Sequence, residues 1–228
     1  MPYLAHSVHA QLGALPLGLV GWTLLAVSVG LVQWRVWILS FFSTEPSGVA
    51  WIGIWRACFY SQEQASPGLL IMHCSSINLQ DSFTPPEIAT AQISMFLSLG
   101  FGILGFVCGI YALRNAFFGI KSLTQCAFCL GGTLTLLAAI LALIPLLWNL
   151  AAVLRNQPIQ FPDEFKLPET PKAQQVGGAV WAGLLGVALL AITAIIDISY
   201  KLPKEEMRSL RKRQGRNNPA FEFDDVWL

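Results

Sequence analysis

What this sequence has least of is charge, and the little it has is unevenly placed. Asp, Glu, Lys and Arg make up 12% of the 228 residues and apolar residues 54%, a balance outside the range of ordinary soluble domains. Leu12–Val32, Ala91–Leu113, Ala127–Trp148 and Val176–Ile196 contain none of the four charged types. Each reaches the roughly 20 residues that a helix needs to cross about 30 Å of hydrocarbon, so four spans are expected. These runs also lack the alternation of a barrel strand. That leaves helices, whose backbone groups pair within one segment.

Other absences narrow the function. No catalytic triad, zinc-protease motif, P-loop or dinucleotide fingerprint occurs. Charge-free spans hold no acid, base or metal ligand, so transporter and enzyme readings lack buried polar machinery; no catalysis, metal or cofactor is expected. Asp197, the one acid at a span boundary, is expected to face the membrane interface. A net charge of +1 gives no case for nucleic acid. Met1–Gln11 has no Lys or Arg and the run beyond it exceeds a signal-peptide core, so the first run is expected to remain as a span. With no internal repeat and no long low-complexity tract, the chain reads as one bundle.

The charge that is present orients the spans. The connection after the second carries Arg114 and Lys121 without an acid, and beyond the fourth lie Lys201, Lys204, Arg208, Arg211, Lys212, Arg213 and Arg216. Excess basic residues mark the cytoplasmic side, so both termini are expected inside. The loops 33–90 and 149–175 then lie outside, with two basic residues against four acidic and three against three. Residues 1–200 form the four-span domain and 201–228 a cytoplasmic tail.

The first outer loop reads as structured. Gln33–Ser40 and Val49–Tyr60 are rich in Trp, Val, Ile and Phe, with a turn at Pro46-Ser47-Gly48 between them. The expected fold is therefore an α-helical membrane protein, a four-helix bundle carrying a small extracellular antiparallel sheet. Thr84-Pro85-Pro86-Glu87 reads as a helix start, with Thr84 as N-cap, Pro85 at the first helical position and Glu87 three residues past the cap. Trp148 and Trp181, near outer span ends, suit the interfacial belt. Gly105 and Gly109, and Ala179, Ala182, Gly183 and Gly186, offer small-residue faces for packing within the bundle.

Five cysteines divide by topology. Cys58 and Cys74 share the outer loop, an oxidising setting where a disulfide is expected. It would close a loop of about 17 residues and contribute roughly 3 kcal/mol in the chain-entropy model. Cys126 and Cys129 form a C-x-x-C with no second Cys or His pair beside it to complete a zinc site. Cys126, at the cytoplasmic edge of the third span, is a candidate for S-palmitoylation; Cys108 and Cys129 are expected to be ordinary buried residues.

In order along the first outer loop come Trp34, Gly53-Ile54-Trp55, Cys58 and Cys74. With four spans, this order resembles the claudin family, whose first loop carries a Trp, then Gly-Leu-Trp, then two cysteines. Gln33-Trp34-Arg35-Val36 looks like the claudin exit from the first span, and Ile144-Pro145 with Trp148 like the end of the third. The resemblance covers residues 12 to 200 and extends to the wider group that includes peripheral myelin protein and calcium-channel gamma subunits. It implies a scaffold at the outer membrane boundary, with Gly53 allowing close backbone approach, Trp34 and Trp55 set at that boundary and no active site. It further implies plasma-membrane localisation at tight junctions, and contacts with other claudin-like molecules within one membrane and across to the next cell.

The chain also departs from the family. The cysteines are 16 positions apart, wider than is usual, Ile54 replaces Leu, and the Arg expected before the second span has no counterpart in Glu87–Met95, where Gln92 lies closest. Ile159-Gln160-Phe161-Pro162, Phe165 and Leu167-Pro168, with Ala112-Leu113-Arg114-Asn115, resemble a divergent branch. Val226-Trp227-Leu228 places apolar side chains at the last residue and two before it, as a PDZ groove accepts by strand addition; PDZ scaffold proteins are the partners this implies. The basic run Arg208–Arg216 suits contact with the lipid bilayer. The leading expectation is a structural adhesion protein. The alternative is an auxiliary subunit of a channel or receptor, against which the lack of any N-x-Ser/Thr sequon weighs modestly.

Overall fold

In a computed structural model of the chain, residues 8–39, 48–62, 70–118, 121–162, 165 and 171–200 are described. The charge-free runs lie, to within two residues at an end, inside helices α1 (His9–Gly30), α2 (Pro86–Phe118), α3 (Lys121–Leu154) and α4 (Gly178–Ile198), each long and apolar enough to cross a membrane. With 33 and 34 residues, α2 and α3 are each about 50 Å long at 1.5 Å per residue, well beyond the hydrocarbon thickness. Both therefore project past the bilayer. The sequence places Arg114 in a connecting loop, but α2 continues through it to Phe118.

The helices pack closely where glycine removes the side chain. A Cβ on Gly186 would lie 2.7 Å from the Gly21 carbonyl oxygen, and one on Gly105 2.5 Å from Thr135 Oγ1. The small-residue faces thus serve contacts inside the bundle. At the end of α3, Asn156 takes φ 51°, and the amides of Asn156 and Gln157 donate to Val153 and Ala152, closing the last turn.

Five strands follow the order β4-β3-β2-β1-β5, all antiparallel: β1 (Arg35–Ile38), β2 (Val49–Ile52), β3 (Arg56–Gln62), β4 (Leu70–Ser76) and β5 (Ala173–Val176). Two features differ from the sequence expectation. Val49–Tyr60 is not one strand: the Gly53 amide donates to the Arg56 carbonyl at 2.9 Å, folding the segment back over Ile54 and Trp55. The sheet also takes a strand from the second loop, since β5 pairs Val176 with Arg35 through to Ala173 with Ile38. Val176 belongs to this strand, and α4 begins two residues later.

The helix start before α2 is also built differently. Pro86 is its first residue, and the Pro85 carbonyl accepts from Ile88 and Ala89. Thr84 donates its hydroxyl to the Asn78 carbonyl instead of capping, and Glu87 turns to a tertiary partner. No capping box forms because both side chains have stronger demands elsewhere.

One face of the sheet shares a core with the helices. Trp37, Ala50, Ile52, Ala57 and Phe59 from the strands join Ile88, Met95, Leu146 and Val180 in one buried cluster. A smaller cluster at the other end of the bundle gathers Val8, Ala112, Leu113, Ala116, Phe128 and Tyr200.

Candidate functional site

The sheet is the feature that distinguishes one end of the bundle, and its position is set from α1 outward. Trp34 follows the first helix; its indole N–H donates to the Ser28 carbonyl at 2.8 Å, while the Ser28 hydroxyl donates to the Ala179 carbonyl at 2.7 Å. These bonds tie the start of β1 to α1 and α4. Trp34 is 1% exposed, so its ring lies in the core and not at the lipid boundary expected of it. Trp55, 41% exposed, is the aromatic of the signature that faces outward.

The Gly53-Ile54-Trp55 turn points back to the bundle. A Cβ on Gly53 would stand 2.8 Å from Val32 Cα, so this approach requires glycine. Ile54 is fully buried. Gln92 on α2 donates its side-chain amide to the Ile54 carbonyl at 2.6 Å and to the Ile77 carbonyl at 2.9 Å, and the Ile77 amide donates to the Trp55 carbonyl. Gln92 therefore provides the donor where the family pattern led to an expectation of Arg. From the second loop, Gly177 abuts Gln33 so closely that a Cβ would overlap its carbonyl, while its amide donates to Trp34.

A buried ion pair completes the anchor. Arg35, fully buried in β1, donates from Nη2 to Glu87 Oε1 at 2.6 Å and from Nε to Asn149 Oδ1 at 2.7 Å. Strand, α2 and α3 are thereby joined at one guanidinium. Burial pushes the Arg35 pKa below its ordinary value, and the hydrogen bond and charge of Glu87 oppose that shift. Sequence reading assigned Arg35 only to a motif and Glu87 only to a cap. Their pairing spans 52 positions, with no local signal to mark it.

Beneath β1, Phe161 meets Trp37 at 5.5 Å between ring centroids and Phe165 at 5.1 Å, with Phe83 at 5.8 and 5.2 Å from those two phenylalanines. The second loop is thus packed into the sheet's core through Ile159, Phe161 and Phe165 as well as paired at its edge. On the opposite sheet face, Gln175, Val36, Trp51, Cys58 and Cys74 occupy one row of opposed positions. Cys58 and Cys74 are joined by a disulfide across β3 and β4. Of the strand residues, only Arg35 and Arg56 carry full charge, and Arg56 alone is exposed. Among the described residues no group of three His, Cys, Asp or Glu is arranged to hold a metal.

A family model described as PMP-22/EMP/MP20/Claudin tight junction matches residues 19–196, more than half of the chain. The chain belongs to the PMP-22/EMP/MP20/claudin family. This claudin-family chain is similar to Claudin-5 of Homo sapiens, 25% identical over 193 residues that cover 82% of it and 80% of that protein. It is 27% identical to Claudin-5 of Mus musculus over 198 residues, covering 81% and 79%. It is 24% identical to Claudin-3 of Rattus norvegicus over 216 residues, covering 88% and 86%.

Other predicted positions fall elsewhere. Trp148 and Trp181 are exposed on helix surfaces at the sheet end. Cys126 is exposed, as is Cys129, which corrects the expectation that Cys129 is buried; Cys108 is half-buried on α2, where it packs against Gly131 of α3. Asp197, expected at the interface, is 8% exposed and packed among the helices, one residue before the end of α4. Val226, Trp227 and Leu228, the basic run, Pro46 and Ser47 lie outside the described residues.

Proposed function

We propose that this chain is a structural cell–cell adhesion protein of the tight-junction type, non-enzymatic, whose sheet faces the extracellular side and contributes to a paracellular strand or barrier. The observation that carries this reading is that the first and third of the loops between spans build one sheet, which is tied to three helices by buried polar contacts. A surface held this firmly suits repeated contact with copies of related proteins, in the same membrane and across the intercellular gap. The basic residues beyond the second and fourth spans support placing both termini in the cytoplasm.

Two cytoplasmic features accompany the proposal. Cys126 borders an apolar groove of about 310 Å³ between α2 and α3, lined by Val107, Tyr111, Leu123 and Leu130, which suits an acyl chain thioesterified to that cysteine. The terminal Val226-Trp227-Leu228 suits a PDZ domain. Within the family, the segments Ile159-Gln160-Phe161-Pro162 and Ala112-Leu113-Arg114-Asn115 are the basis for proposing a likeness to the divergent claudin numbered thirty-four.

Expression in epithelial or fibroblast cells that lack claudins tests the proposal. Enrichment at contacts between expressing cells, intramembrane strands in freeze-fracture and a change in transepithelial resistance are expected. Surface delivery without strands or resistance change, together with stoichiometric co-purification of a channel or receptor from native membranes, would instead establish an auxiliary subunit.

A further inference from the structure

Between the helices, from the end of the bundle away from the sheet inward to Trp22 and Gly102, lies a partly open cavity of about 30 Å³, room for one or two water-sized occupants. Gln11 from α1, Thr135 from α3, and Thr193 and Asp197 from α4 reach its lining, and all four are at most 8% exposed. Most of the remaining wall is glycine and apolar side chain.

The donors around this cavity are already committed. Gln11 Nε2 donates to the Ile196 carbonyl at 3.2 Å and Trp22 Nε1 to Leu99 at 3.1 Å. Thr193 Oγ1 donates to Leu189 and Thr135 Oγ1 to Gly131, both at 2.9 Å. What remains is oxygen: the Asp197 carboxylate, the lone pairs of two hydroxyls, and Gln11 Oε1, which is buried without a partner. Among the described residues no Lys, Arg or His lines the cavity.

A carboxylate in such surroundings is balanced either by a proton or by a positive partner, since an unpaired buried charge is strongly unfavourable. Oxygen-only surroundings select a hard cation. A single carboxylate balances a single charge, whereas a divalent ion would leave a net positive charge among hydrocarbon. We propose that this cavity binds one small monovalent cation, of the size of sodium, through Asp197, Gln11 and the hydroxyls of Thr135 and Thr193.

The test uses the full chain in phosphatidylcholine nanodiscs, with thermal unfolding followed as sodium chloride replaces choline chloride at constant ionic strength and pH. At a tenfold excess of sodium over half-saturation, the midpoint is expected to rise by about 3–6 °C and to saturate. Asp197→Asn abolishes the rise. Gln11→Leu, which keeps the carboxylate, raises the half-saturating sodium concentration by about tenfold and decides the matter if Asp197→Asn does not fold. A midpoint indifferent to sodium, a rise that survives Asp197→Asn, or unchanged half-saturation in Gln11→Leu overturns the proposal. So does a midpoint that follows pH and not sodium, because Asp197 would then hold a proton.

Discussion

The bundle buries a carboxylate at each end. At the sheet end Glu87 meets Arg35 at 2.6 Å, and Asn149 holds the same guanidinium at 2.7 Å. At the other end Asp197 lies 8% exposed beside a cavity with no ion pair among the described residues. The paired charge has two fixed neighbours on different elements, so its energy depends on their geometry and it locates β1 against α2 and α3. Among the described residues the single carboxylate has no such partner, and on the proposal above it is balanced by an ion from solution. Burial of a charged group therefore does not identify its role; the partner does.

Breaking the pair should produce the largest effect. Arg35→Met leaves Glu87 buried and unpaired, and is expected to lower stability by about 3–5 kcal/mol, measured as a lower unfolding midpoint in nanodiscs. Adding Glu87→Met should restore most of that loss. A double variant as unstable as the sum of the two singles would show that the two side chains are not coupled.

The disulfide comes next. Replacing both Cys58 and Cys74 by Ala removes the covalent link between β3 and β4, with an expected loss of about 3 kcal/mol. Because no residue of these strands lines the cavity, the sodium response there should persist. Gln92→Leu should have a smaller effect, about 1–3 kcal/mol, since it strips the side-chain donor from the Ile54 and Ile77 carbonyls at the signature turn. A matching loss in surface delivery, with strand pairing intact by disulfide formation, would place the damage at the anchor.

What could be read from the sequence was whatever is local or periodic. The four spans followed from the absence of charge over lengths that match a bilayer, and the cysteine pair from its setting in one loop. The turn at Gly53 was hidden inside an apolar stretch that reads as a continuous strand; only the close approach to Val32 shows why glycine stands there. β5 escaped because Ala-Gln-Gln-Val has little strand character and exists as a strand through pairing with β1, far earlier in the chain. Thr84 and Glu87 matched a capping pattern, but Asn78 and Arg35 take their polar groups. Asp197 lay one residue beyond a charge-free run, and nothing in the sequence set the true end of the helix.

The smallest expected effect is the sharpest test of the two ends, because it uses the same chemical change as a far more damaging one. Glu87→Gln converts a carboxylate to an amide and leaves Arg35 with its charge unbalanced, so a loss comparable to that of Arg35→Met is expected. Asp197→Asn makes the same conversion where no cation among the described residues is left stranded. In choline chloride, with no sodium present, it removes an unfavourable buried charge and should leave stability within about 1 kcal/mol of the parent or slightly raise it. Unfolding midpoints of both variants under identical conditions measure the contrast. If Asp197→Asn instead loses as much as Glu87→Gln, then Asp197 has a fixed partner in the chain, and the two ends of the bundle do not differ in the way their charges are balanced.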